Sequence, residues 1–275
     1  MHSIKTAGIL GLGKMGGPMA KHLIAKGFNV VGYDPVPAAG AKAAADGVRV
    51  LASARDVASR CELAIVVVGF DNQVEAVVYG KNGIVEGAKP GLIVALGSTA
   101  APQYTRTLAV RLAKRNITLL DIPLTRGEQA AVSGKLLILG AGDEAAFEAC
   151  RPAFSAFASD IFHLGPAGAG QVGKMVNNLI LWACTAANDE GLRLGQALGV
   201  DPEKMRAALH HSSAQNWAMD WRAEDSGMPW AEKDMNILLR EADMVRLSLP
   251  LAGTTKEVIK GLKIRMGLGL PEGFE

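Results

Sequence analysis

The chain has 275 residues, with 29 Lys and Arg against 27 Asp and Glu, a formal charge of +2 and a hydrophobic fraction of 49%. That is too apolar for disorder and lacks the basic excess of a nucleic-acid binder, so a soluble globular protein of one or two domains is expected. Cys61, Cys150 and Cys184 are odd in number, widely spaced and free of any CxxC pattern, which excludes a disulfide framework or zinc knuckle and fits a reducing compartment.

The first half alternates short apolar runs with helical patterns. TAGILGL precedes a helix over 16–26, NVVGYD one over 38–46, LAIVVVG one over 72–79 and GLIVAL one over 102–114. Such alternation predicts βαβ units and a mostly parallel sheet, and the unbroken apolar strands predict helices on both sheet faces. ITLLDIPL and KLLILGAG add two strands to the same sheet, followed by a helix over about 144–157 and a short strand at DIFHLG. Beyond Gly168 the strand signal stops, and a Pro-free pattern predicts one long helix over 171–198, then helices over 202–211, 216–224, 231–245 and 250–264. The tail GLGLPEGFE reads as loosely ordered. The expected division is a dinucleotide-binding domain over 1–166 and a helical substrate and dimerisation domain over 167–275. The apolar stretches 63–70 and 179–187 fall far short of the roughly 18 residues that cross a bilayer. MHSIKTAGILGLG has no signal-peptide layout, so no membrane partner and a cytoplasmic location are expected.

Chemistry concentrates first in Gly11, Leu12, Gly13, Lys14, Met15 and Gly16, directly between a predicted strand and helix. Gly11 permits the tight turn, Gly13 lets the main chain approach a pyrophosphate, and Gly16 lets helix and strand pack closely. Asp34, followed by Pro35, stands at the end of the second strand, 18 residues past Gly16. A carboxylate there accepts hydrogen bonds from an adenosine ribose and repels a 2′-phosphate, so NAD is favoured over NADP. The second concentration is GAGQVGKMVNN at the head of the long helix. Its Lys174 and Asn178 are four apart and share a helix face, while glycines at the helix head permit close approach of another element. Apolar neighbours would partly desolvate Lys174 and lower its pKa, as proton exchange near neutral pH requires; a solvated surface lysine is the plain alternative.

GILGLGKMGGPMAKHLIAKGFNVVGYDP, Ser98 and Thr99 with Pro102 after them, DIPLTRGEQAAVSGKLLILGAGD, GAGQVGKMVNN and the pair Lys233 and Asp234 occur in one order along the chain. In that order they resemble the β-hydroxyacid dehydrogenases, which include 3-hydroxyisobutyrate dehydrogenase and tartronate semialdehyde reductase, with 6-phosphogluconate dehydrogenase a more distant relative. The resemblance implies an α/β fold, a Rossmann-type doubly wound parallel sheet with an all-helical C-terminal domain. It implies a reversible hydride transfer between NAD and a short β-hydroxy acid or semialdehyde, and assembly as a homodimer or homotetramer. Lys174 then corresponds to the general acid/base and Asn178 to the residue that hydrogen-bonds the substrate beside its hydroxyl. Thr125, Arg126 and Gly127 correspond to the substrate-carboxylate loop. Thr99, Lys233, Val68 and Gly69 correspond to cofactor-contacting positions; a helix N-cap for Thr99 and a surface charge for Lys233 are the plainer alternatives.

Two departures from the family pattern stand out. Arg126 replaces a glycine of the substrate loop, and is either a second anion site or a side chain turned to solvent. Leu181, seven residues past the lysine, stands where decarboxylating relatives carry a glutamate; an apolar residue cannot protonate an enediol, so oxidation without decarboxylation is expected. No metal is expected, because His210 and His211 are adjacent, point about 100° apart on a helix and lack any companion spacing. Trp217 and Trp221 are four apart, which is usual for core packing, and the resemblance puts Trp217 on the pocket wall. An imine reductase is the alternative enzyme, although that class carries Asp or Tyr where Lys174 stands. A non-catalytic dinucleotide-binding protein is the alternative outside enzymes.

Overall fold

The structure is a computed structural model that describes residues 4–220 and 227–270. The chain forms two compact units, 1–174 and 175–275. In the first, nine strands form one sheet in the order β3-β2-β1-β4-β5-β6-β8-β7, with β9 paired to β8. They are β1 (Thr6–Leu10), β2 (Asn29–Tyr33), β3 (Arg49–Val50), β4 (Leu63–Val66), β5 (Ile93–Leu96), β6 (Thr118–Asp121), β7 (Leu124–Thr125), β8 (Leu136–Gly142) and β9 (Ala158–His163). The neighbours from β3 through β6 pair in parallel. This is the doubly wound dinucleotide-binding arrangement, whose order runs outward in both directions from β1.

The far edge differs from a simple continuation of the parallel sheet. Pro123 has no N–H to give to a ladder, and ITLLDIPL is divided into β6 and the two-residue β7. The β8 strand runs antiparallel to both, while β9 returns parallel to β8. The short strand β3 and the helices α3 (Ala54–Ala58), α5 (Ile84–Gly87) and α7 (Gly127–Ser133) carry too few residues to show a period, and they add to the elements that periodicity predicts.

Longer helices follow the expected alternation: α1 (Gly16–Ala25), α2 (Pro37–Ala45), α4 (Asp71–Tyr79), α6 (Pro102–Ala113) and α8 (Glu144–Phe154). Pro37 and Pro102 start their helices, where a missing N–H costs nothing, and Asp143 caps α8 by accepting from Ala146 N at 2.8 Å. Successive strand residues divide between two core clusters. Ile9, Leu63, Ile65 and Ala95 pack with Phe147 and Phe154 in one, and Leu10, Ala64, Val66 and Leu96 pack with Val74 and Leu108 in the other. The sheet is therefore buried on both faces at its central strands β1, β4, β5 and β6, as their unbroken apolar runs require, while Phe162 on β9 at the edge is 55% exposed.

The long helix α9 (Ala169–Ala197) has 29 residues and passes from the first unit into the second. The second unit continues with α10 (Pro202–Leu209), α11 (Trp217–Asp220), α12 (Ala231–Met244) and α13 (Pro250–Arg265). Its core gathers Trp182, Ala186, Met228, Ala231, Met235, Leu238, Ala252, Ile259 and Leu262. Inside it Lys263, 2% exposed, pairs with Glu232 at 2.6 Å and joins α12 to α13. Trp221, the end of the helix expected over 216–224, and the last five residues of the tail lie outside the described residues. No described helix is long and apolar enough to cross a membrane.

Candidate active site

The loop between β1 and α1 has the geometry its glycines predict. Gly11 sits at φ +97° and donates to Tyr33 O at 2.9 Å, and a Cβ there would lie 2.1 Å from Val67 O. A Cβ on Gly16 would lie 1.9 Å from Gly11 O, so α1 starts in direct contact with the turn. Gly13 is different, since an added Cβ would meet nothing within 4 Å. Nothing in the fold requires glycine there, and the open surface suits a ligand's close approach. Lys14, exposed, lies 3.4 Å from Glu128 in the first turn of α7, and Met15 precedes α1 against the core.

Asp34 follows β2 and turns its carboxylate back toward this loop. Its Oδ2 accepts from Leu12 N at 2.7 Å and its Oδ1 from Val36 N at 2.8 Å across Pro35. The carboxylate is therefore fixed beside the glycine turn. The fit to a dinucleotide is good: an open glycine at a helix start and a fixed carboxylate at the end of the adjacent strand.

Two further loops leave the C-terminal ends of β4 and β5. Val68 N donates to Ser98 Oγ at 2.8 Å, and Gly69 N donates to Gln73 Oε1 at 2.8 Å. Thr99 is half-buried; the N-cap of α6 is Ala101, which removes the capping alternative for Thr99. Next along the sheet, Thr125 is buried on β7 and its Oγ1 donates to Leu137 O at 3.4 Å. Arg126 and Gly127 follow at φ +77° and +73°. The arginine adopts a left-handed conformation that favours glycine, and its Nη1 donates to Lys135 O at 3.2 Å, Ser159 Oγ at 2.9 Å and Asp160 Oδ2 at 2.6 Å. Its guanidinium is thus on the exposed surface, as the solvent-facing alternative expects, but paired with a counter-charge there, and it holds the Asp160 carboxyl below the usual carboxylate range.

Lys174 is half-buried, and its Nζ donates to Leu124 O at 2.7 Å, beside Thr125. The glycines before it do permit close packing: a Cβ on Gly170 would lie 2.4 Å from Leu139 O, and one on Gly173 2.5 Å from a Leu164 methyl. In the second unit Asn178 is buried, donates from Nδ2 to Asp234 Oδ2 at 2.8 Å and accepts from Asn177 Nδ2 at 3.0 Å. Lys233 is 9% exposed, with its Nζ 5.6 Å from the Trp230 ring centre, so it is no ordinary surface lysine. Trp217 opens α11 about half exposed, and Leu181 packs beside the helical core. His210 lies 3.2 Å from Asp220, and the described residues hold no cluster of three or more His, Cys, Asp or Glu that could bind a metal.

Sequence reasoning passes over Asp121 and Gln171. Asp121 is fully buried at the end of β6 and accepts from Gly168 N at 2.9 Å and Gln171 N at 3.0 Å. Burial pushes its carboxyl above the ordinary value, and those two N–H groups oppose the push. Gln171, also fully buried, accepts from Ala100 N at 3.0 Å and donates to Ser98 O at 2.9 Å. The one signal in the sequence is an acid ending an otherwise apolar strand, ITLLD.

A doubly wound sheet whose first loop carries an open glycine turn beside a fixed carboxylate is the arrangement of a dinucleotide-binding domain. Comparison with known proteins agrees. Residues 6–165 match the NAD binding domain of 6-phosphogluconate dehydrogenase, and residues 168–269 match the family described as NAD-binding of NADP-dependent 3-hydroxyisobutyrate dehydrogenase. The chain is 33% identical over 267 residues to 3-hydroxyisobutyrate dehydrogenase of Pseudomonas aeruginosa, covering 90% of this chain and 89% of that one. It is 31% identical over 272 residues to 2-(hydroxymethyl)glutarate dehydrogenase of Eubacterium barkeri, covering 95% and 90%. Among solved structures, 3-hydroxyisobutyrate dehydrogenase from Salmonella typhimurium superposes with a TM-score of 0.84 at 28% identity, covering 96% and 95%. The chain belongs to the NAD(P)-dependent β-hydroxyacid dehydrogenase family.

Proposed function

We propose that this protein reversibly oxidises a short β-hydroxy acid of the 3-hydroxyisobutyrate kind to its semialdehyde, with NAD and without decarboxylation. The observation that carries the reading is Lys174, half-buried with its amine 2.7 Å from Leu124 O, next to Thr125. In the neutral amine one N–H keeps that bond while the nitrogen lone pair takes the substrate hydroxyl proton. When bound, the nicotinamide supplies the acceptor for the hydride that leaves the same carbon. In the reverse direction the Lys174 ammonium returns the proton to the oxygen. Asn178, one helical turn on, hydrogen-bonds the substrate beside its hydroxyl, and its amide is oriented by Asp234 and Asn177. Thr125 and the main-chain N–H groups of Arg126 and Gly127 receive the substrate carboxylate. Asp160 already neutralises the Arg126 guanidinium, which favours a monocarboxylate over a substrate with a second anionic group. With Leu181 at the position of the second acid, there is no group to protonate an enediol.

On the cofactor side Gly11, Leu12, Gly13, Lys14 and Met15 face the phosphates, Asp34 and Pro35 the adenosine ribose, and Val68, Gly69, Thr99 and Lys233 the nicotinamide half. Asp34 favours NAD over NADP by like-charge repulsion of a 2′-phosphate, so kcat/KM with NAD should exceed that with NADP, and Asp34→Asn should narrow the ratio. Residues 1–166 form the dinucleotide-binding domain and 167–275 the helical substrate and dimerisation domain, with Trp217 on the pocket wall. Exposed Leu194, Leu198, Val245 and Ile264 support self-association as a dimer or tetramer, readable by analytical ultracentrifugation. Three free thiols support a reducing compartment, the cytoplasm.

The test is NADH formation from NAD with a panel of β-hydroxy acids, run beside Lys174→Ala. Turnover that falls about 10²–10⁴-fold in the variant while NADH still binds is the expected result. Equal activity of parent and variant would remove Lys174 from the chemistry; turnover of cyclic imines alone would favour the imine reductase reading.

A further inference from the structure

Most capped helices in this fold are capped locally. Asp143 accepts from the N–H three residues on at the head of α8, and Asp201 does the same from Lys204 N at 2.9 Å for α10. The helix that carries Lys174 is held otherwise. The N–H groups of Gly168, just before the helix, and of Gln171 in its first turn are taken by Asp121, 47 and 50 residues earlier in the chain. Gln171 then reaches across to the loop after β5, bonding Ala100 N and Ser98 O on either side of Thr99. Both side chains are 0% exposed.

These four bonds join three segments that the proposed chemistry uses together. Lys174 stands three residues past Gln171, less than one helical turn, and its amine bonds Leu124 O, three residues past Asp121. The lysine is thus tied to the 121–125 segment both through the head of its helix, by Gly168 N and Gln171 N, and through its own amine, and that segment ends in Thr125. Gly170 shows how tight the joint is, since a Cβ there would stand 2.8 Å from Asp121 Oδ2 as well as 2.4 Å from Leu139 O. Burying a carboxylate is costly unless it is fully hydrogen-bonded, and a local Ser or Asp would cap a helix at less cost. What this arrangement adds beyond a cap is registration of three loops.

We propose that Asp121 and Gln171 are positioning residues for proton transfer: together they set Lys174 in register with the cofactor-side loop at Thr99 and the substrate-side loop at Thr125. This deepens the dehydrogenase reading above and rests on it. Small misplacement of a reacting group costs on the order of 10²-fold in rate while leaving binding intact.

The experiment compares the parent, Lys174→Ala, Asp121→Asn and Gln171→Met, the last two near-isosteric at their sites, in kcat, KM for the best hydroxy acid, NADH dissociation constant and Tm. The expected result is a fall in kcat of about 10–100-fold for Asp121→Asn and Gln171→Met, with KM and the NADH dissociation constant within about threefold of the parent. An unchanged kcat overturns the proposal. So does a loss of kcat matched by loss of NADH binding and Tm, or failure of both variants to fold, because either makes the pair a support of the fold alone. A parent that turns over no hydroxy acid fails the dehydrogenase reading itself, and this proposal with it, whereas an active parent with an inactive Lys174→Ala leaves only the roles of Asp121 and Gln171 at stake.

Discussion

The two units bury their apolar residues in different ways. In the first, strand residues alternate between two clusters, and Ile9, Leu10, Leu63, Ile65, Leu96, Phe147 and Phe154 are all fully sealed by their own unit. In the second, one smaller cluster surrounds Trp182 and Ile259, while Leu198, Val245 and Ile264 stay 75%, 72% and 70% exposed. A sheet covered on both faces gives the residues of its central strands a place inside, whereas a layer of helices buries one stripe of each helix and leaves the remainder outside. The first unit is thus a scaffold stabilised by its own apolar packing, and the second is one in which polar interior contacts matter individually.

The largest effect that would test this is Phe147→Ala. Its ring packs 5.5 Å from Phe154 and 5.0 Å from His163, fully buried, and truncation should lower the unfolding free energy by about 3–5 kcal/mol in denaturant titration. A loss below about 1 kcal/mol would mean that the sheet core repacks freely. Next is the polar interior of the second unit. Lys263→Ala leaves Glu232 buried without its partner and should cost about 3 kcal/mol, whereas Lys263→Met combined with Glu232→Leu should come back to within about 1 kcal/mol of the parent.

A smaller, pH-dependent effect belongs to the first unit. Two hydrogen bonds from Arg111, with help from Tyr104 and against desolvation, hold the Glu75 carboxyl below its ordinary value. The folded state therefore favours the ionised form. Its contribution is complete above the usual glutamate range and is lost as pH falls through the lowered value. Thermal melts should show the gap between parent and Glu75→Gln closing as pH falls from about 6 toward about 3; a gap that widens would contradict the assignment. The smallest effect concerns thiol chemistry. Burial pushes Cys61 and Cys150 up to about 12, so in the folded protein at about pH 8 an alkylating reagent should label half-buried Cys184 first, and all three only after denaturation.

Much of the nucleotide-binding half is readable because its signals are local. Unbroken apolar runs identify β1, β4 and β5, and a glycine turn between a strand and a helix needs only adjacent residues to be recognised. Lys174 and Asn178 can be paired from their spacing on one helix, and their segments draw attention through resemblance. Short elements such as β3, α5 and α7 escape because a few residues carry no period. The reversal of β8 escapes because direction in a sheet depends on what pairs with what, not on the strand's own composition. Arg126 can be noticed as a departure, but its engagement by Ser159 and Asp160 is set by β9, 33 and 34 residues away in the chain.

By itself, then, the sequence determined the fold class and the glycine turn between β1 and α1, since these follow from periodicity and from glycine's lack of a Cβ, while its resemblance to a family singled out Lys174 as the candidate acid/base. Only the tertiary structure decided that Asp121 and Gln171 fasten the head of α9, that Lys233 is buried, and that Arg126 already has a counter-charge. Those facts depend on strand order, which brings together residues up to 73 positions apart, and on burial, which removes Asp121, Gln171 and Lys233 from water. No local pattern contains that information, because the same acid or amide in another loop would simply be solvated.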